Sequence, residues 1–423
     1  MKNNERDSIS QYSESRKFGE EIINVKYRKA RSPHSPGSPY RGFKPGTTLL
    51  ERGTIITSDA LPLPCDIIFE RDVGVILRDG TIIYVDIFRP AGLSRKTGIP
   101  AIVGWGPFGK QGAVMALDDF PNRSGVPKDA VSELQAWEAP DPAYWCNHGY
   151  AVINPDPRGV GSSEGNIQHW GQIEARDGYD LIEWIAEKDW SNGKIGMAGN
   201  SWLAILQWFI AAEQPPHLAA IAPWEGHIDL FRCDVLRGGI PNTRFNESII
   251  SQLYGPNFIE DVPAMVKEYP LMNGYWEDKR ANLENIKIPA YIVASYFGHH
   301  TLDAFQQIGS RQKWLRIHNT NEWADFYNPE HTEDLRKFFD HFLYDKDNGW
   351  EETERVRLTV YDMEHEDIVD RPENDWPLVR TEYKKLYFDF DNNSLSTYKK
   401  NRESNVSCTD GKIALLFNFD EMT

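Results

Sequence analysis

Lys194-Ile-Gly-Met-Ala-Gly-Asn-Ser-Trp-Leu-Ala204 is the stretch that decides how this chain folds. Its apolar run, residues 195–198, reads as a buried strand. Gly199-Asn-Ser201 then turns the chain, and residues 202–212 are helix-prone throughout. A strand that passes through a tight Gly-x-Ser turn straight into a helix is the setting of a nucleophile elbow. Glycine permits the turn. The turn holds the serine hydroxyl at the helix N-terminus, where unpaired backbone N–H groups face any developing negative charge. Ser201 is therefore the first candidate nucleophile. The same tripeptide also fits a serine N-cap opening an ordinary helix, so the flanking segments have to decide.

Working outward, short apolar runs recur at residues 101–105, 150–154, 218–222, 291–295 and 314–317, each ending in turn residues. Between them, residues 174–188 carry Tyr179, Ile182 and Ile185 at helical spacing. Buried runs alternating with amphipathic helices predict an α/β fold with a largely parallel sheet. Upstream, residues 75–78 and 81–88 read as two strands joined by the Asp79-Gly80 turn. From about residue 228 to 285 the alternation stops and helix-prone, aromatic and charged residues take over, as expected of a cap inserted over the strand ends. Residues 1–45 are polar and contain Arg31-Ser-Pro-His-Ser-Pro-Gly-Ser-Pro-Tyr40, which predicts a flexible arm. Residues 46–350 are then the main domain. In residues 351–423, the segments 355–361, 385–389 and 413–419 are strand-like with no helices between them, which predicts a separate, incomplete all-β domain. Its unpaired strand edges would invite self-association.

Composition excludes several function classes. Charges of 46 basic and 63 acidic residues leave a net −17, which repels nucleic acid and anionic membranes. No run of about eighteen apolar residues is present to span a bilayer. The amino terminus lacks the apolar core of a secretory signal, and the four cysteines form no CxxC pair. Together these predict a cytoplasmic protein with reduced thiols, and neither metal-ligand spacing nor a phosphate-cradling loop appears.

The order of motifs resembles the X-Pro dipeptidyl-peptidase / cocaine esterase family of serine hydrolases (the CocE/NonD hydrolases), over about residues 65–420. Four segments carry the likeness. They are the elbow, Pro100-Ala-Ile-Val-Gly-Trp-Gly-Pro-Phe-Gly-Lys110, Asn154-Pro-Asp-Pro-Arg-Gly-Val-Gly-Ser-Ser-Glu-Gly165, and Lys313-Trp-Leu-Arg-Ile-His-Asn-Thr-Asn-Glu-Trp323. The resemblance implies an α/β-hydrolase core with a helical cap and a carboxyl-terminal jelly-roll-like region. It makes Ser201 the nucleophile and gives the backbone N–H of Trp202 to the oxyanion.

Three family positions are altered. Phe108 stands where a tyrosine hydroxyl is the second oxyanion donor, Gly298 stands where the triad aspartate is expected, and Glu322 stands where the triad histidine is expected. His318, four residues earlier at a strand end, is the best remaining base, with His300 second. Asp303, Glu322 and Asp325 are open as the acid. Glu225, His227 and Asp229 lie just past a strand end and either line the pocket or form a self-bonded loop. The expected function is hydrolysis of a small ester, amide or short peptide through an acyl-enzyme, without a cofactor. The alternative is a catalytically impaired member that binds a ligand.

Overall fold

The computed structural model describes residues 12–36, 38–92, 98–110, 115–296, 299–392 and 394–399. In chain order the strands are β1 (Tyr12–Phe18), β2 (Glu21–Lys29), β3 (Gly46–Leu50), β4 (Ile67–Ile76), β5 (Ile82–Pro90), β6 (Ile99–Val103), β7 (Ala151–Asp156) and β8 (Ser191–Asn200). They continue as β9 (Leu218–Trp224), β10 (Phe258–Glu260), β11 (Ala290–Ser295), β12 (Lys313–His318), β13 (Val356–Val360), β14 (Ile368–Glu373), β15 (Tyr387–Asp389) and β16 (Ser394–Ser396). The α-helices are α1 (Pro142–Asn147), α2 (Gln172–Ala186), α3 (Trp202–Ala212), α4 (Arg244–Ile250), α5 (Val262–Glu268), α6 (Gly274–Asp278), α7 (His299–Gln307), α8 (Glu322–Phe326) and α9 (Pro329–Tyr344).

Among the described residues one sheet dominates, in the order β14-β13-β12-β11-β9-β8-β6-β7-β5-β4-β3. The strands from β7 to β13 pair in parallel, while β3, β4, β5 and β14 run antiparallel to their neighbours. Each apolar run read from the sequence is one of these strands, and the Asp79-Gly80 hairpin joins β4 to β5 as expected. The parallel strands β7 and β11 are buried along their whole length, which is why they read as unbroken apolar runs. Every residue of α3 is buried. Helix α2 lies so close to it that a Cβ on Gly178 would sit 2.3 Å from Ile210 Cδ1. Between β9 and β11 come the short helices α4, α5 and α6, the cap expected for residues 228–285.

Two boundaries differ from the sequence reading. The first is the arm: residues 12–29 are not loose chain. β1 and β2 form a hairpin, and β2 pairs antiparallel with the cap strand β10. Ile23, Val25 and Tyr27 alternate inward on β2 and are buried. That period-two signal was short and lay next to the Ser/Pro-rich tract that suggested disorder. The second is the domain boundary at 351. β13 pairs in parallel with β12, in register Arg316↔Arg357, so it extends the main sheet, and β14 covers its edge. A strand at the edge of a parallel sheet carries the same half-alternating pattern as a strand of a separate sandwich. The chain clusters instead into a unit of Met1–Trp376 and a second of Pro377–Thr423. In the second, β15 and β16 form a two-stranded antiparallel sheet. The strand expected at 413–419 lies outside the described residues.

Candidate active site

β8 ends at Asn200 and α3 begins at Trp202, leaving Ser201 alone at the turn. Its backbone is held at φ 55°, ψ −119°, a left-handed conformation that costs a non-glycine residue about 1–3 kcal/mol. Two hydrogen bonds impose it: Ser201 N–H donates to Trp224 O at 3.0 Å, and Asn200 N–H donates to Glu138 O at 3.1 Å. Gly199 is required next door. At φ +149° its missing Cβ would lie 2.5 Å from Leu203 Cβ. The Ser201 side chain makes no capping hydrogen bond to α3. The serine N-cap reading therefore fails, and the hydroxyl is presented outward.

Ser201 opens on a cavity of about 410 Å³. Phe108, Phe120, Trp170, Trp202, Ile205 and Phe245 give it apolar walls, and Glu138, Glu225, Asp234 and Glu322 give it four carboxyl groups. Glu138, Trp170 and Glu225 share with Ser201 a positive φ, at 62°, 62° and 61°. Strained non-glycine backbone concentrates where surrounding structure over-determines a functional geometry, and here four such residues ring one cavity.

Trp202, the first residue of α3, lines the cavity, so its amide lies in the first turn, where N–H groups have no intrahelical partner. Phe108 is buried on the same wall with its ring edge-on to Trp202 at 6.1 Å, and carries no hydroxyl to donate. His318 ends β12 as expected but does not line the cavity. Its Nε2–H donates to Glu225 Oε1 at 2.8 Å, and its Nδ1 faces Thr320 Oγ1 at 3.2 Å and Asp325 Oδ1 at 3.5 Å. Both ring nitrogens thus face groups other than Ser201. His318 reaches the cavity only through Glu225, whose other oxygen accepts from Ser295 Oγ at 3.2 Å.

The remaining candidates separate cleanly. Asp325 is locked to the buried Arg316 by two hydrogen bonds. Burial pushes its carboxyl up, and Arg316 more than offsets this, holding it well below the usual range. It anchors the base of α8. Asp303 is half exposed and lies 3.8 Å from His300 Nδ1. The His300 ring packs against that of His227, which lines the cavity. Gly298 lies outside the described residues. Glu225 proves to be a cavity residue, as one of the two readings of its loop allowed, whereas Asp229 pairs with Arg232.

Glu138 was not singled out from the sequence at all. It sits in a loop with no motif, and only the folded chain brings its carbonyl to Asn200 and its carboxyl to Trp323. Among the described residues no group of three or more His, Cys, Asp or Glu side chains is placed to hold a metal ion, and no helix is long and apolar enough to cross a membrane.

The fold is similar to that of a CocE/NonD family hydrolase from Staphylococcus aureus, with a TM-score of 0.74 at 30% identity, covering 87% of this chain and 66% of that one. A model of the X-Pro dipeptidyl-peptidase (S15) family matches residues 79–261, which hold the elbow and most of the cap. The chain is thus similar to the S15 and CocE/NonD hydrolases. Cocaine esterase from Rhodococcus sp. (strain MB1 Bresler) is 31% identical over 163 residues, 38% of this chain and 24% of its own. A relative from Mycobacterium bovis is 26% identical over 222 residues, 51% of this chain and 35% of its own. This chain thus spans 35% or less of these two curated relatives, and its departures from the family pattern at Phe108 and Glu322 fall on cavity-lining positions.

Proposed function

We propose that this chain is a serine hydrolase that cleaves a small ester, amide or short peptide through an acyl-enzyme on Ser201. The observation that carries the reading is the strained elbow: Ser201 holds a non-glycine φ of 55°, and its side chain, with no hydrogen bond to α3, lines a cavity. Ser201 Oγ attacks the acyl carbon. The Trp202 N–H, in the first turn of α3, stabilises the oxyanion, a contribution typically of about a hundredfold or more in rate for one well-placed donor. Phe108 supplies wall rather than charge stabilisation. His318 acts as a positioning residue that fixes Glu225 at the cavity edge. The aromatic walls favour an apolar acyl group of modest size, since a cavity of about 410 Å³ is at the small end of ligand sites.

The test is turnover of a panel of p-nitrophenyl esters and aminoacyl p-nitroanilides by purified protein at neutral pH, with Ser201→Ala alongside. Product release that disappears in the variant is the expected result. One observation favours the second reading, a binding protein with impaired chemistry: among the described residues no histidine hydrogen-bonds Ser201. Absence of turnover across the panel, with well-folded protein, would select it.

A further inference from the structure

Helix α8 begins where the chain leaves β12. Asn321 caps it, its side-chain oxygen accepting from Trp323 N–H at 3.0 Å, so Glu322 and Trp323 are its first two residues. The Trp323 indole N–H then donates to Glu138 Oε1 at 2.8 Å. Glu138 in turn receives Asn200 N–H on its carbonyl oxygen. Two hydrogen bonds therefore tie the first turn of α8 to the residue preceding Ser201, and Ser201, Glu138, Glu322 and Trp323 all face one cavity. Glu138 Oε2 is buried there, near the Trp137 indole N–H but without a well-formed hydrogen bond. An unmatched buried carboxyl oxygen is costly unless it is protonated or meets a ligand group.

We propose that Glu322 is the proton acceptor and donor for Ser201, with Glu138 as the carboxyl that fixes Trp323 and completes the polar side of the cavity. The proposal rests on the Ser201 reading above. The other described charged groups lining this cavity are engaged elsewhere. Glu225, from the loop after β9, has both oxygens occupied by His318 and Ser295. Asp234 of the cap accepts from Asn246, Arg237 donates to Cys233 O, and Asp325 on α8 is paired with Arg316. His227 stands on the cap side against His300. No described residue donates a hydrogen bond to Glu322.

Electrostatics agree with the geometry. Burial, and then the nearby charge of Glu322, push the Glu138 carboxyl well above its usual range. Burial, and then the charge of Glu225, push Glu322 up to about 7. A base works best with a pKa near the working pH.

In the first half-reaction, the Ser201 Oγ–H proton passes to a Glu322 oxygen as Oγ bonds the acyl carbon and the carbonyl electron pair moves onto oxygen. The intermediate collapses by breaking the bond to the leaving alcohol or amine, which takes the proton from Glu322. Water then adds to the acyl-enzyme, giving a proton to Glu322. Ser201 Oγ departs and takes that proton back, restoring both groups.

The experiment is the second-order rate of fluorophosphonate labelling of Ser201 against pH, for the wild type, Glu322→Gln, Glu322→His and His318→Gln. The wild-type rate is expected to rise with pH through a midpoint near 7, because only the ionised carboxylate accepts a proton. Glu322→Gln should lose about a hundredfold or more and flatten the pH profile. Glu322→His should keep its reactivity, with the midpoint moved toward about 6.5, the ordinary value for imidazole. His318→Gln should keep the wild-type midpoint. If Glu322→Gln does not fold, the midpoint of Glu322→His decides the question alone. Labelling that survives Glu322→Gln, or a midpoint that moves with His318 and not with Glu322, overturns the proposal and leaves the serine reading standing. No labelling of wild-type Ser201 at any pH overturns both.

Discussion

Replacing Ser201 with glycine is expected to abolish turnover and, at the same time, to raise the melting temperature. Removal of a nucleophile typically costs on the order of 10⁶ in kcat, so hydrolysis should fall to background. The stability gain has a separate origin. φ 55°, ψ −119° lies where a Cβ is disfavoured and glycine is not. Relief of about 1–3 kcal/mol of backbone strain corresponds in a unit of this size to a rise of about 1–3 °C. Calorimetry on Ser201→Gly and Ser201→Ala separates the effects: both lose activity, and only the glycine variant should gain stability, because alanine keeps the Cβ. A melting temperature in Ser201→Gly at or below that of Ser201→Ala would mean that the turn stores no strain, and would remove the main support for a functional elbow.

Replacing Lys110 with methionine is expected to cost about 3–5 kcal/mol, the usual penalty for removing one side of a buried ionic cluster. Lys110 Nζ lies 2.5 Å from Asp72, 3.1 Å from Asp156 and 3.8 Å from Asp86, and all four side chains are almost fully buried. Burial alone would push the ammonium down, but Asp156, Asp86 and Asp72 hold it above its ordinary value. Asp156 is pushed up by burial, and Lys110 offsets part of that rise.

Without Lys110 the carboxyl groups would ionise only at higher pH when folded than when unfolded. The folded variant then binds more protons, and its stability falls as pH rises above the carboxylates' unfolded values. Urea titrations should therefore show a deficit that is largest above pH 7 and shrinks toward pH 5. A deficit that does not change with pH would point to lost packing rather than unmatched charge. The consequence reaches the site, because Lys110 N–H also donates to Asp156 Oδ1 at 2.9 Å and the segment so anchored carries Phe108.

What was legible in the sequence follows from the range of each signal. The elbow, the parallel strands and the Asp79-Gly80 hairpin are written in contiguous residues, so reading along the chain finds them. β2 was missed because a nine-residue strand stood beside a Ser/Pro-rich tract, and its partner β10 lies more than two hundred residues away. β13 was assigned to a separate domain because an edge strand's pattern does not name its sheet. At the site, Ser201 was placed by local pattern and Trp202 by the family resemblance. His318 was chosen because it was the histidine nearest the expected position, but its Nε2 is taken by Glu225, from a different strand end. Glu322 was visible as the residue at the altered position, whereas its raised pKa depends on burial and on the charge of Glu225, which only the fold brings near. Glu138 had no sequence signal, since its importance comes entirely from a carbonyl meeting Asn200 and a carboxyl meeting Trp323 across the fold.

The most direct test of the central claim is to treat the folded protein with a fluorophosphonate at neutral pH and locate the adduct by peptide mass spectrometry. A phosphonyl group on the peptide carrying Ser201, absent from Ser201→Ala, is the predicted result and would show an activated serine at the elbow. Protein that melts cooperatively yet stays unmodified, or carries the adduct on another residue, would contradict it.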